Sequence, residues 1–98
     1  MSSTPNGDFV VRHNVPFARF ETEIDGKLAV ADYRVDGKTV YFTHTFVPPE
    51  MRGRGVAEKL VRAGLDWARA QGRRVEPQCS YVAVFIQRHA EYHDLLAQ

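Results

Sequence analysis

At 98 residues the chain has room for one hydrophobic core, which excludes a second catalytic domain and predicts a single domain over 1–98. Hydrophobic residues at 44%, aromatic residues at 11% and charged residues at 26% match an ordinary globular domain and exclude disordered, collagen-like and disulfide-stapled classes. Thirteen Lys and Arg against twelve Asp and Glu leave a formal charge of +1, so no global basic field points to nucleic acid or to an anionic membrane.

Met1 to Gly7 is a polar run without a basic start or a following apolar stretch, so it reads as a frayed tail rather than a signal peptide. Nothing in the chain approaches the roughly 20 apolar residues of a membrane helix. A strand is expected near Phe9 to Arg12, with a turn at Asn14 to Pro16. Asp25-Gly26 and Asp36-Gly37 then divide residues 17–47 into three segments rich in Val, Ile, Phe, Tyr and Thr. Two-residue Asp-Gly loops suit type I′ turns, because both central residues need positive φ and that twist matches the flanking strands. Between them the period is two: Phe20, Thr22 and Ile24 share a face, as do Ala29, Ala31, Tyr33 and Val35. Strands at 17–24, 27–35 and 38–47 are expected to form an antiparallel meander.

From Val56 the spacing changes. Val56, Leu60, Val61, Gly64, Leu65 and Ala68 recur every three or four residues while charged residues fill the gaps, which predicts a helix of about five turns ended by Gly72. Arg73 to Cys79 reads as a short strand, and Pro77 places it at a sheet edge or a bulge. Ser80 is expected to cap a second helix to Arg88, with Val82, Phe85, Ile86 and His89 on one face. Glu91 to Gln98 has no clear placement. A long helix between two strands is a crossover, and a crossover joins parallel strands. The expected fold is therefore α/β with a mixed sheet: an N-terminal antiparallel meander, a crossover helix, a further strand and a C-terminal helix.

The most informative stretch runs from Val47 to Ala57, where a strand end feeds a Gly-rich turn that opens the long helix. Free amides at a helix start, glycines that allow close backbone approach and two arginines make an anion site suited to phosphates. Neither GxxxxGK[ST] nor GxGxxG is present, so nucleoside triphosphates and dinucleotides are not favoured. By itself a Gly-x-Gly turn serves backbone geometry only. Here, however, Arg52-Gly53-Arg54-Gly55-Val56-Ala57 resembles the coenzyme A signature of the GNAT acetyltransferase superfamily, Arg/Gln-x-x-Gly-x-Gly/Ala, at every specified position. His44-Thr45-Phe46-Val47-Pro48 upstream and Cys79-Ser80-Tyr81-Val82 downstream resemble the paired motifs of a compact, single-domain branch of that superfamily. The resemblance implies acetyl-CoA as co-substrate, held by Phe46, Val47, Arg52, Gly53, Arg54, Gly55, Val56 and Ala57, and an amine as acceptor. The N-terminal helices that build the acceptor pocket of longer superfamily members have no counterpart, so the resemblance does not identify that amine.

Cys79 precedes a predicted helix start, where the helix dipole and unsatisfied amides favour a thiolate; the alternative is a small buried hydrophobe. The resemblance implies that Cys79 lies near the thioester and that His44 is a candidate base. Alternation puts His44 on the face of Phe42 and Phe46, and pairing of 40–47 with 74–79 would bring it beside Cys79 as a Cys-His couple. Tyr81 and Tyr92 are candidate acids, each with packing as its plainer role. Arg73-Arg74 is solvated surface or a partner for the coenzyme's 3′-phosphate. His13, His89 and His93 lack metal-ligand spacing, and no metal is implied. With a single cysteine, a reducing, cytoplasmic setting is expected; a monomer is the expected state. The leading expectation is an acetyl-CoA-dependent N-acetyltransferase. Its rival is a non-catalytic acyl-CoA-binding or protein-interaction module of the same fold.

Overall fold

The computed structural model describes residues 9–97, so the Met1 to Gly7 segment lies outside the described residues. Five strands form one sheet in the order of the chain: β1 (Arg12–Asn14), β2 (Arg19–Ile24), β3 (Lys27–Asp36), β4 (Thr39–Phe46) and β5 (Arg74–Pro77). The first four are antiparallel, and β5 joins β4 in parallel after the crossover helix α1 (Val56–Ala70). A second helix, α2 (Ser80–Arg88), packs on β4 and β5, and a 3-10 helix at Ala90–Leu95 closes the chain against α1 and α2. The expected mixed α/β architecture is the observed one.

The first hairpin turn has both Asp25 (φ 52°) and Gly26 (φ 77°) left-handed, the type I′ pattern that Asp-Gly implies. At the second turn Asp36 still pairs with Thr39, so the two loop residues are Gly37 (φ 62°) and Lys38, with the positive φ first as in a type II′ turn. The first strand lies later than its sequence pattern indicates. Arg12, His13 and Asn14 pair with Glu21, Phe20 and Arg19, and the turn falls at residues 15–18. His13 explains the shift. Its ring stacks on Phe20 at 4.1 Å and its Nε2 meets the Tyr33 hydroxyl at 2.6 Å, anchoring the strand where periodicity alone finds little to bury.

Helix α1 is 15 residues long, about four turns, and ends in a Schellman arrangement: Gly72 (φ 68°) donates to Arg69 and Arg73 donates to Ala68. Its predicted apolar stripe is the buried one, and with Phe20, Phe42, Val75, Val82 and Ile86 it forms the core. Strand β5 is the sheet's last strand, as Pro77 requires, and is shorter than expected. Cys79, rather than Ser80, occupies the N-cap position of α2; Ser80 is already helical and no side chain caps that end. The previously unplaced tail is tied to α1 by Arg69 to Asp94 (2.7 Å) and by the Tyr92 hydroxyl donating to Asp66 (2.7 Å). Tyr92 is thereby a buried packing residue, not an acid in a cleft. Among the described residues no helix is long and apolar enough to cross a membrane.

Candidate active site

The site is made by one irregularity in β4. Tyr33 pairs with Phe42 and Asp32 with His44, so Thr43 is an extra residue in β4. An extra residue reverses every later side chain. Val40 and Phe42 point into the core; beyond the bulge it is Thr45, opposite the buried Ala31, that faces inward. His44 pairs with Asp32 on the outer face and is exposed. The alternation that put His44 with Phe42 therefore fails at Thr43, and no Cys-His couple forms. What stands against the Cys79 sulfur is Thr45 Oγ1, at 3.5 Å.

Among the described residues, the same stretch of β4 has a free edge. Strand β5 pairs with β4 only as far as Phe42 opposite Pro77, and the amides of Gln78 (3.0 Å) and Cys79 (2.9 Å) both donate to the Phe42 carbonyl. The chain then turns into α2, and a cleft opens along β4 lined by Thr45, Phe46, Val47, Arg52, Ala57 and Tyr81. The Thr45 amide is directed at the Cys79 sulfur. By strand alternation the next amide on that side belongs to Val47, while Phe46 contributes an exposed ring.

At its outer end the cleft meets the Gly-rich turn. Gly53 (φ 81°) and Gly55 (φ 74°) both adopt the left-handed conformation, and Gly55 is the N-cap of α1. Glycine is required here by φ rather than by crowding, because an added Cβ would meet nothing within 4 Å at either position. With no side chain as cap, the first-turn amides of α1 are left for an anion. Val56 is buried and offers only its backbone. Arg52 donates from Nε to the Val47 carbonyl at 3.1 Å, tying the turn to the strand, and Arg54 lies between the two glycines. Arg73 and Arg74 sit at the far end of α1, ~22 Å away at 1.5 Å per residue. Arg73 lies over Trp67 and Arg74 reaches the carbonyls of Asp94 and Leu96, so the tertiary structure removes both from a phosphate role at the turn.

Two titrating groups carry shifts relevant to chemistry. Burial pushes the Cys79 thiol up, but the Thr45 hydroxyl and the backbone amides of Val82, Tyr81 and Thr45 outweigh it and hold the thiol below its ordinary value. Burial raises the Tyr81 hydroxyl, aided by the Glu58 carboxylate, which keeps it a proton donor. Sequence reasoning quoted Thr45 within a motif but gave it no role. Its only signal would have been a bulge in β4, which no residue type there announces.

Known proteins share the family pattern and the fold. The family described as GCN5-related N-acetyltransferase matches residues 19–95. Protein NATD1 of Xenopus tropicalis is 30% identical over 91 residues, covering 90% of this chain and 84% of its own length. Protein NATD1 of Bos taurus is 32% identical over 82 residues, 81% of this chain and 73% of its own. A GCN5-like protein from Staphylococcus aureus solved in solution by NMR superposes with a TM-score of 0.71 at 26% identity, over 96% of this chain and 91% of that one. With the crossover helix, the glycine turn and the free edge of β4 all in place, the chain belongs to the GCN5-related N-acetyltransferase family.

Proposed function

We propose that this protein binds acetyl-CoA in the β4 cleft and transfers the acetyl group to an amine, with Cys79 as nucleophile. The observation that carries the reading is the continuity of three features: an uncapped helix start, a strand edge without a partner, and a thiol of lowered pKa where that edge ends. The donor set fits the coenzyme. Amides at Gly53 to Ala57, with Arg52 and Arg54, suit its pyrophosphate; the unpaired edge of β4 suits its amide-bearing arm; Phe46 and Val47 supply apolar contact.

The coenzyme supplies an activated thioester. The chain supplies the rest. Backbone amides at Tyr81, Val82 and Thr45 favour the Cys79 thiolate over the thiol, whose proton passes to solvent. The Val47 amide is placed to polarise a carbonyl oxygen, and Tyr81, bordering the cleft, donates a proton to the departing thiolate. The amine then attacks the acyl carbon, the Cys79 thiolate leaves, and the proton that the amine loses passes to solvent, because His44 stands on the other face of the sheet. All these residues come from one chain, so a monomer suffices. A working thiol also requires a reducing compartment, which makes a cytoplasmic location part of the same proposal.

Calorimetry with acetyl-CoA and free CoA tests binding, and an amine screen with free-thiol detection tests turnover. Binding of both ligands with no turnover on any amine would favour a non-catalytic acyl-CoA module. Binding of neither would end the proposal.

A further inference from the structure

The cleft has a direction. Its anion-binding end is the glycine turn, and from there its β4 wall runs through Val47 and Phe46 to Thr45. Thr45 is half-buried and touches the Cys79 sulfur at 3.5 Å. Behind that contact the two chains converge: the Phe42 carbonyl is held by two amides of the β5 to α2 connection, and Phe42 and Val82 are wholly buried. Beside Thr45, Ala31 of β3 is also wholly buried. Opposite the glycine turn the cleft wall is thus backed by packed core, and the contact at that end is Thr45 against Cys79.

We propose that Thr45 is the residue that limits acyl length, admitting an acetyl group and rejecting chains of four carbons or more. The inference rests on the acyl-CoA reading above. With phosphates at the turn, a thioester within reach of Cys79 directs its acyl tail at the Thr45 wall. Close-packed interiors do not stretch to admit extra methylenes, so a longer tail must displace Thr45 or leave the cleft. Thr45 contributes this bulk through Oγ1 and Cγ2, two atoms that alanine lacks.

The test is calorimetric binding of CoA, acetyl-CoA and butyryl-CoA to wild type, Thr45→Ala, Thr45→Ser and Thr45→Val. Two extra methylenes against a wall backed by packed core are expected to cost wild type at least about tenfold in affinity for butyryl-CoA relative to acetyl-CoA. Thr45→Ala is expected to bring the two esters within about threefold of each other, with Thr45→Ser between. Thr45→Val, which keeps the volume and loses the hydroxyl, is expected to retain the wild-type ratio. Equal affinities in wild type, or an unchanged ratio in both Thr45→Ala and Thr45→Ser, would overturn the inference while leaving acyl-CoA binding intact. Collapse of the ratio in Thr45→Val would overturn it by showing that the hydroxyl, not the bulk, discriminates. If neither CoA nor any ester binds wild type, the acyl-CoA reading itself fails and takes the inference with it.

Discussion

Cys79 Sγ lies 3.5 Å from Thr45 Oγ1, whereas His44, one residue earlier, is turned to the outer face opposite Asp32. One extra residue, Thr43, produces both facts. It seats Thr45 beside the thiol and keeps the imidazole away from it.

The Cys79 thiol is expected to react with iodoacetamide at lower pH than an ordinary exposed thiol. Thr45→Val removes one of its hydrogen-bond partners and is expected to move the alkylation profile upward, with Thr45→Ser restoring it. His44→Ala leaves those partners in place and is expected to leave the profile unchanged. A profile that moves with His44 and not with Thr45 would contradict the geometry.

Incubation with acetyl-CoA is expected to leave an acetyl adduct on Cys79, seen as a mass increase after rapid quenching. Cys79→Ala is expected to lose both adduct and turnover while retaining coenzyme binding. Turnover that survives Cys79→Ala would indicate direct transfer to the amine.

Acetyl-CoA held in the proposed cleft would engage the native state only, so at a hundred times Kd it is expected to stabilise the fold by about 2.7 kcal/mol and to raise the Tm clearly. Gly55→Ala imposes a left-handed φ on a residue with a Cβ, a strain of roughly 1–2 kcal/mol, and is expected to lower both the basal Tm and the shift on adding ligand. A flat Tm across millimolar acetyl-CoA would count against the cleft as an acyl-CoA site.

Gly64→Ala is expected to destabilise, against the usual gain of about 1 kcal/mol for replacing glycine inside a helix. An added Cβ would lie 2.7 Å from Cε1 and 2.9 Å from Cζ of the Phe42 ring, which is wholly buried and cannot swing away. Overpacking of this kind costs about 1–3 kcal/mol, so a net loss is expected in urea unfolding. A more stable Gly64→Ala would show that the ring and helix separate at little cost.

Burial in the cluster of Phe20, Tyr33 and Trp67 lowers the His13 pKa below the ordinary 6.5. The unfolded chain therefore takes up this proton more readily than the folded one. The contribution is complete above the unfolded value and is lost as pH falls through the folded one. Between pH 8 and 5 the wild type is expected to lose more stability than His13→Phe, measured as the shift in urea midpoint. Trp67, the single tryptophan, reports the transition by its fluorescence.

Local chemistry made much of this molecule legible from its residues alone. Asp25-Gly26 announced a hairpin because few other pairs accept two positive φ values, and the stripe from Val56 to Ala68 announced a helix because only one face needed burying. The bend at Arg52 to Ala57 was readable for the same reason: Gly53 and Gly55 accept the left-handed conformation that a tight turn into a helix uses. Three things were decided elsewhere. His13 sets the position of β1 through rings that come from β2, β3 and α1. Arg73 and Arg74 look available for phosphate until the length of α1 carries them to its far end. Most consequentially, the bulge at Thr43 is imposed by the register of β4 on β3 and by the departure of β5 at Pro77. Side-chain direction in a strand is local only while the ladder is regular. Where one residue is added, the face of every following side chain is settled by pairing between distant segments, and here that pairing seats Thr45 rather than His44 beside Cys79.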